Sequence, residues 1–162
     1  MELKEKIEAL KKQQDAVILA HYYVSDEVQA IADYIGDSFY LSKLAVSLNA
    51  KTLVVCGVSF MGESAKILNP EKKVLLPDSR ADCAMAHMIT PEKVAQLRAE
   101  HPAAAVVCYI NSTAELKTCS DVCVTSANAL SIVRALPKQE IIFIPDENLG
   151  RHIAAQLPEK QF

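Results

Sequence analysis

The sequence predicts an α/β chain of tandem three-layer α/β/α lobes with short parallel sheets, in a pseudo-symmetric repeat. Three observations carry this reading. Short runs that are apolar on both faces, V-I-L-A (17–20) and A-V-V-C (105–108), alternate with segments of helical periodicity, as in a parallel sheet covered on both sides. Tyr109, Asn111 and Ser126 each lie 88 residues after His21, Tyr23 and Ser38 (109 − 21, 111 − 23, 126 − 38), and Asp121 and Gly150 keep that distance from Asp33 and Gly62. A spacing held without a gap reads as internal duplication. In each half, finally, a polar strand end is followed 17 residues on by a serine at an expected helix start: His21 to Ser38, then Tyr109 to Ser126.

The elements follow in order. Residues 1–12 form a charged amphipathic helix. Residues 15–22 form a central strand, and Ser25 caps a helix with Asp26 and Glu27 in its first turn, where negative charge suits the helix dipole. Val28, Ile31 and Ile35 make its apolar stripe and Gly36 ends it. Asp37 or Ser38 caps the next helix; a second strand spans 52–58, a helix near Gly62 ends at Asn69-Pro70, and a third strand spans 73–76. Thr90 with Pro91 starts a helix in the second half. A strand over 104–110 leads to Ser112 and Glu115, spaced as a capping box, and helices continue through Leu136. A strand over 140–145 and a helix over 150–157 follow. The expected lobes are residues 1–86 and 87–162. By the 88-residue offset the third strand of lobe two begins at residue 161, so the lobe is expected to be incomplete, leaving residues 104–110 as an open apolar edge.

With 162 residues, 51% of them hydrophobic, the chain has material for one globular domain or two small ones that share an interface. A net charge of −3 and the lack of any Lys/Arg-rich run argue against a nucleic-acid partner. The charged N-terminal segment lacks a signal-peptide core, and no apolar run approaches the ~18 residues of a membrane span. A cytoplasmic location is expected, with the five cysteines as thiols or metal ligands.

Ligands of open parallel α/β folds sit beyond the carboxyl ends of the strands. His21 and Tyr23 end one central strand, Tyr109 and Asn111 the other, and Ser38 and Ser126 open helices whose free N–H groups favour anions. Two such lobes facing each other would grip a dicarboxylate or a phosphorylated small molecule. The plainer reading of each serine is an ordinary N-cap. Cys56 and Cys108 read as small core residues, and Cys119 and Cys123 as a pair four apart on a helix, more in keeping with burial than with a metal. Cys83, in a polar loop after a strand, suits a nucleophile or a metal ligand. On these residues alone a non-catalytic dicarboxylate- or phosphate-binding two-lobe module remains an alternative to an enzyme.

Taken together, A-H-Y-Y (20–23), G-D-S (36–38), P-D-S-R-A-D-C-A-M-A (77–86), C-Y-I-N-S (108–112), D-V-C-V-T-S-A-N-A (121–129) and P-D-E-N-L-G-R (145–151) resemble the quinolinate synthase family across the whole chain. The resemblance implies a condensing enzyme, a transferase of de novo NAD biosynthesis that joins iminoaspartate to dihydroxyacetone phosphate, with L-aspartate oxidase as the upstream enzyme. It implies three lobes about a pseudo-threefold axis, each supplying one cysteine to a [4Fe–4S] cluster with an open iron. Cys83 matches the first-lobe ligand and Tyr23 the tyrosine of the proton-transfer steps. His21, Ser38, Tyr109, Asn111 and Ser126 match substrate-binding positions. The family chain is about twice this long, with the third lobe and two cluster cysteines outside the matched part, so the 162 residues alone are expected to be an inactive fragment.

Overall fold

The apolar run before His21 forms β1 (Ala16–His21) in a computed structural model that describes residues 3–162. Ahead of it lies α1 (Leu3–Gln13), and Asp15, at φ 46°, turns the chain between the two. Then come α2 (Asp26–Gln29), β2 (Tyr34–Gly36), α3 (Ser38–Ser47), β3 (Thr52–Cys56), α4 (Ser59–Leu68) and β4 (Lys73–Leu75). The sheet is parallel throughout, ordered β2-β1-β3-β4. Alternation along the strands divides their side chains between two faces. Ile18 and Val54 line a groove with Ile7 and Leu10 of α1 and Val28 of α2, while α3 packs on β1 and α4 on β4 on the opposite side.

A second unit begins at Cys83; the expected division lay after residue 86. It holds a 3-10 turn (Ala84–His87), α5 (Pro91–Glu100), β5 (Ala105–Tyr109), α6 (Ala114–Thr118), β6 (Val122–Val124), α7 (Ala129–Ala135), β7 (Ile141–Ile144) and α8 (Glu147–Gln156). Its parallel sheet is ordered β6-β5-β7. Odd-numbered Ala105 and Val107 pack with Val133, Ile153 and Leu157 under α7 and α8. Even-numbered Val106 and Cys108 pack with Val94 of α5 and Leu116 of α6. Each unit is therefore a three-layer α/β/α sandwich with a short parallel sheet.

The duplication extends to backbone register. Thr52 pairs with Lys73 in the first sheet, and Glu140 forms a parallel bridge with Gln161 in the second, both residues shifted by 88. Ile141 donates its N–H to the Gln161 carbonyl at 2.7 Å. The expected strand start at residue 161 lies there, against β7.

Four expectations are corrected. The helix from Ser25 stops at Gln29, because Asp33 exchanges bonds with Ile18: its N–H donates to the Ile18 carbonyl at 2.9 Å and its Oδ2 accepts the Ile18 N–H at 2.8 Å. That pulls residues 34–36 alongside β1 as a strand, so Ile35 and Gly36 belong to β2. Asp121 does the same to Val106, so the run expected to be helical through Leu136 contains β6, and Cys123 lies on a strand rather than sharing a helix with Cys119. The cap of α6 is Thr113, whose Oγ1 accepts from Leu116 N–H; Ser112 is fully buried and turned toward Cys108. Residues 104–110 are not an open edge, since β5 runs between β6 and β7.

Candidate active-site residues

In the first unit, β1 delivers His21 to the carboxyl edge of the sheet, paired in register with Gly36. The chain then turns sharply, with Val24 N–H donating to the His21 carbonyl at 3.0 Å. This turn folds three rings together. His21 stacks on Tyr22 with centroids 4.6 Å apart, and Tyr23 meets both His21 and Tyr22 edge-on at 4.7 Å. Tyr23 is 83% exposed. Its backbone N–H donates to His21 Nδ1 at 3.2 Å, which places the proton of a neutral imidazole on Nε2. Partial burial lowers the His21 pKa from its ordinary value, against a smaller upward pull from the Asp37 carboxylate. The Tyr22 phenol is raised, first by its hydrogen bond to Tyr23 and then by the negative charge that Tyr23 would carry.

Ser38 stands two residues past Gly36 as the first residue of α3, on the same sheet edge as His21. The cap of that helix is Asp37, whose Oδ1 accepts Tyr40 N–H at 2.7 Å. A carboxylate thus already answers the helix dipole there, which weakens the reading of this terminus as an anion cradle by itself.

In the second unit Tyr109 ends β5, and Asn111 Nδ2 donates to its phenol oxygen at 3.1 Å. Ile110 N–H extends the β5–β6 ladder to the Val124 carbonyl at 2.8 Å, so Asn111 and Ser126 leave neighbouring strands at one edge. Ser126 does not open a helix. Asn128 Oδ1 accepts Thr125 N–H at 2.7 Å and holds residues 125–128 in a turn, delaying α7 to Ala129. Cys83 is a half-buried N-cap of the 3-10 turn, its carbonyl accepting from Ala86 N–H at 3.0 Å. The segment leading to it is anchored: Ser59, opening α4, donates its N–H to the Ala81 carbonyl and its hydroxyl to Asp82 Oδ1 at 2.7 Å.

The sequence model of the quinolinate synthetase A protein family matches residues 5–162. The chain belongs to this family. It is 56% identical over 162 residues to a quinolinate synthase of Clostridium perfringens (strain SM101), covering all of this chain and 54% of the relative. It is 55% identical to the quinolinate synthase of Fusobacterium nucleatum, over 98% of this chain and 53% of the relative. With that of Sulfurihydrogenibium sp. the identity is 55%, over 99% of this chain and 52% of the relative. The chain thus spans about half the length of the curated relatives it matches.

Of the residues singled out from sequence, the quinolinate synthetase fold groups His21 and Tyr23 with Ser38 at one sheet edge, and Tyr109 and Asn111 with Ser126 at the other unit's. Tyr22 was missed, because strict alternation would send it to the opposite side from His21. Among the described residues no group of three His, Cys, Asp or Glu side chains could hold a metal ion. One thiol at Cys83 is too few donors for an iron–sulfur cluster, so these 162 residues do not fit that group unaided. No helix among the described residues is long and apolar enough to cross a membrane.

Proposed function

We propose that the chain serves quinolinate synthesis, the condensation of iminoaspartate with dihydroxyacetone phosphate that supplies the pyridine ring of NAD, as two of the three lobes the reaction needs. The observation that carries the reading is the family match over residues 5–162, with His21 and Tyr23 held together at a strand end where this fold class takes its ligands. His21, kept neutral by burial, offers Nε2–H to a substrate oxygen. Tyr23 carries an exposed phenol beside it, suited to exchange a proton with substrate. Ser38, Tyr109, Asn111 and Ser126 supply hydroxyl and amide groups for carboxylate or phosphate oxygens. Cys83 is proposed to give one thiolate to a [4Fe–4S] cluster whose other ligands lie outside these 162 residues. L-Aspartate oxidase would supply the imine, in the cytoplasm.

The full product of the source gene, reconstituted anaerobically with iron and sulfide, is expected to form quinolinate from the two substrates. Tyr23→Phe should lower turnover with the cluster spectrum intact, and Cys83→Ala should lose the cluster. Failure of the unaltered product to form quinolinate would overturn the proposal.

A further inference from the structure

We infer that Cys108 and Cys123 form a reversible dithiol–disulfide pair, an oxidation site on the second unit. The two residues are register partners on adjacent parallel strands, β5 and β6. Neighbouring strands run about 4.8 Å apart, inside the roughly 4.4–6.8 Å window of Cα separations that a disulfide spans. Both side chains lie on the face covered by α5 and α6, in one cluster with Leu116 and Val94. Each has a serine neighbour: Ser112 Oγ is 3.1 Å from Cys108 Sγ and Ser120 Oγ is 3.7 Å from Cys123 Sγ.

The two thiols differ in the way a resolving pair requires. Cys108 is fully buried, and its pKa is raised, first by its bond to Cys123 and then by burial. Cys123 is half-exposed, and its pKa is lowered, first by the Cys108 S–H, with Ser120 and the Lys117 charge adding to it against burial. Cys123 is therefore the sulfur that meets an oxidant, and Cys108 the sulfur that answers it without leaving the interior.

With hydrogen peroxide as oxidant the step balances. The Cys123 thiolate attacks one peroxide oxygen; an S–O bond forms, the O–O bond breaks, and hydroxide leaves and takes a proton. The Cys108 sulfur then attacks Cys123; the S–S bond forms, the S–O bond breaks, and the second water departs with the Cys108 proton. Two thiols and one peroxide give one disulfide and two waters, the sulfurs losing the two electrons the peroxide gains. Closure would pin β5 to β6 next to the strand ends that carry Tyr109 and Ser126. That consequence rests on the proposed function, whereas the cross-link itself does not.

The test is to treat the unaltered 162-residue chain with equimolar hydrogen peroxide, alkylate the remaining thiols, digest without reductant and map the peptides. The expected result is the loss of two hydrogens from the intact mass and a Cys108–Cys123 linked peptide, with Cys56, Cys83 and Cys119 alkylated. Dithiothreitol should reverse it. Cys123→Ser should abolish the cross-link, and Cys108→Ser, if it folds, should leave a sulfenic acid on Cys123 that dimedone traps. A link to Cys119 or Cys83, or oxidation of single thiols with no link, overturns the inference whatever the variants do. Quinolinate formation is not read in this experiment, so its outcome is independent of the activity assignment.

Discussion

The Asp33 carboxylate accepts the backbone N–H of Ile18 through Oδ2 at 2.8 Å, fastening the residue before β2 to the middle of β1. Eighty-eight residues later Asp121 Oδ2 accepts Val106 N–H at 2.7 Å in the same place. Each bond occupies an amide of a central strand whose residue is almost wholly buried. Asp33→Ala would leave that amide without its partner and should cost about 1–3 kcal/mol. Asp33→Asn keeps an oxygen acceptor and should cost less. Urea unfolding of the two variants beside the parent chain checks both statements; equal losses would mean that the Lys11 ion pair, 2.8 Å from Asp33 Oδ1, matters more than the amide bond.

Acid sensitivity follows from Asp121. Burial pushes its pKa up, but the Val106 N–H and the Arg98 guanidinium, 3.1 Å away, outweigh it and hold the carboxyl below its ordinary value. The folded state thus binds the proton less readily than the unfolded chain. The stabilisation is present in full above the unfolded-state pKa of about 4 and is lost as pH falls through the lower folded value. Asp121→Asn should flatten the acid limb of urea midpoints measured between about pH 2.5 and 6. An unchanged slope would assign the acid loss to other carboxylates.

Two buried lysines close helix ends in the same duplicated way. Lys72 Nζ donates to the Ala45 and Leu48 carbonyls, both at 2.6 Å, at the end of α3, and Lys160 Nζ to Leu136 and Lys138, both at 2.8 Å, beyond α7. Last-turn carbonyls have no partner within their own helix, so the ammonium takes the place of a C-cap. Lys72→Met matches the stem and removes the donors; it should destabilise by about 1.5–3 kcal/mol in denaturant unfolding. No loss would show that the apolar stem alone secures α3.

These contacts show where sequence reading reaches its limit. The long apolar strands β1, β3 and β5 are legible because both faces are covered. The three-residue strands β2 and β6 are not: Tyr34 and Ile35 remain exposed, and their position is set by what Asp33 bonds rather than by burial. Val28, Ile31 and Ile35 keep helical spacing although only the first lies in a helix, so the pattern fitted a structure it does not form. His21 and Tyr23 could be placed from the strand end, but Tyr22 could not, because its contact with His21 depends on the tight turn after β1. The pairing of Cys108 with Cys123 was equally hidden, since it needs β6 to exist. A repeated Asp followed by Tyr-Ile-Gly in one half and Val-Cys-Val in the other was the available signal for both short strands.

The charge next to His21 can be removed without removing the cap. Asp37 is the upward influence on an imidazole whose pKa burial holds low, and it also caps α3 through Tyr40 N–H. Asn caps a helix about as well as Asp, so Asp37→Asn should leave α3 in place and let the His21 pKa fall further. The sign for stability follows. A histidine that titrates lower when folded than when unfolded contributes in full above the unfolded value of about 6.5, and that contribution is eroded as pH drops below it. The variant should therefore lose more stability than the parent on acidification, and the NMR titration midpoint of the His21 ring should move down. An upward movement would mean that Asp37 acts on His21 by ordering solvent or Tyr40 rather than by its charge. A downward one would show that the neutral ring, with Nδ1 accepting Tyr23 N–H, persists to lower pH once the neighbouring carboxylate is neutral.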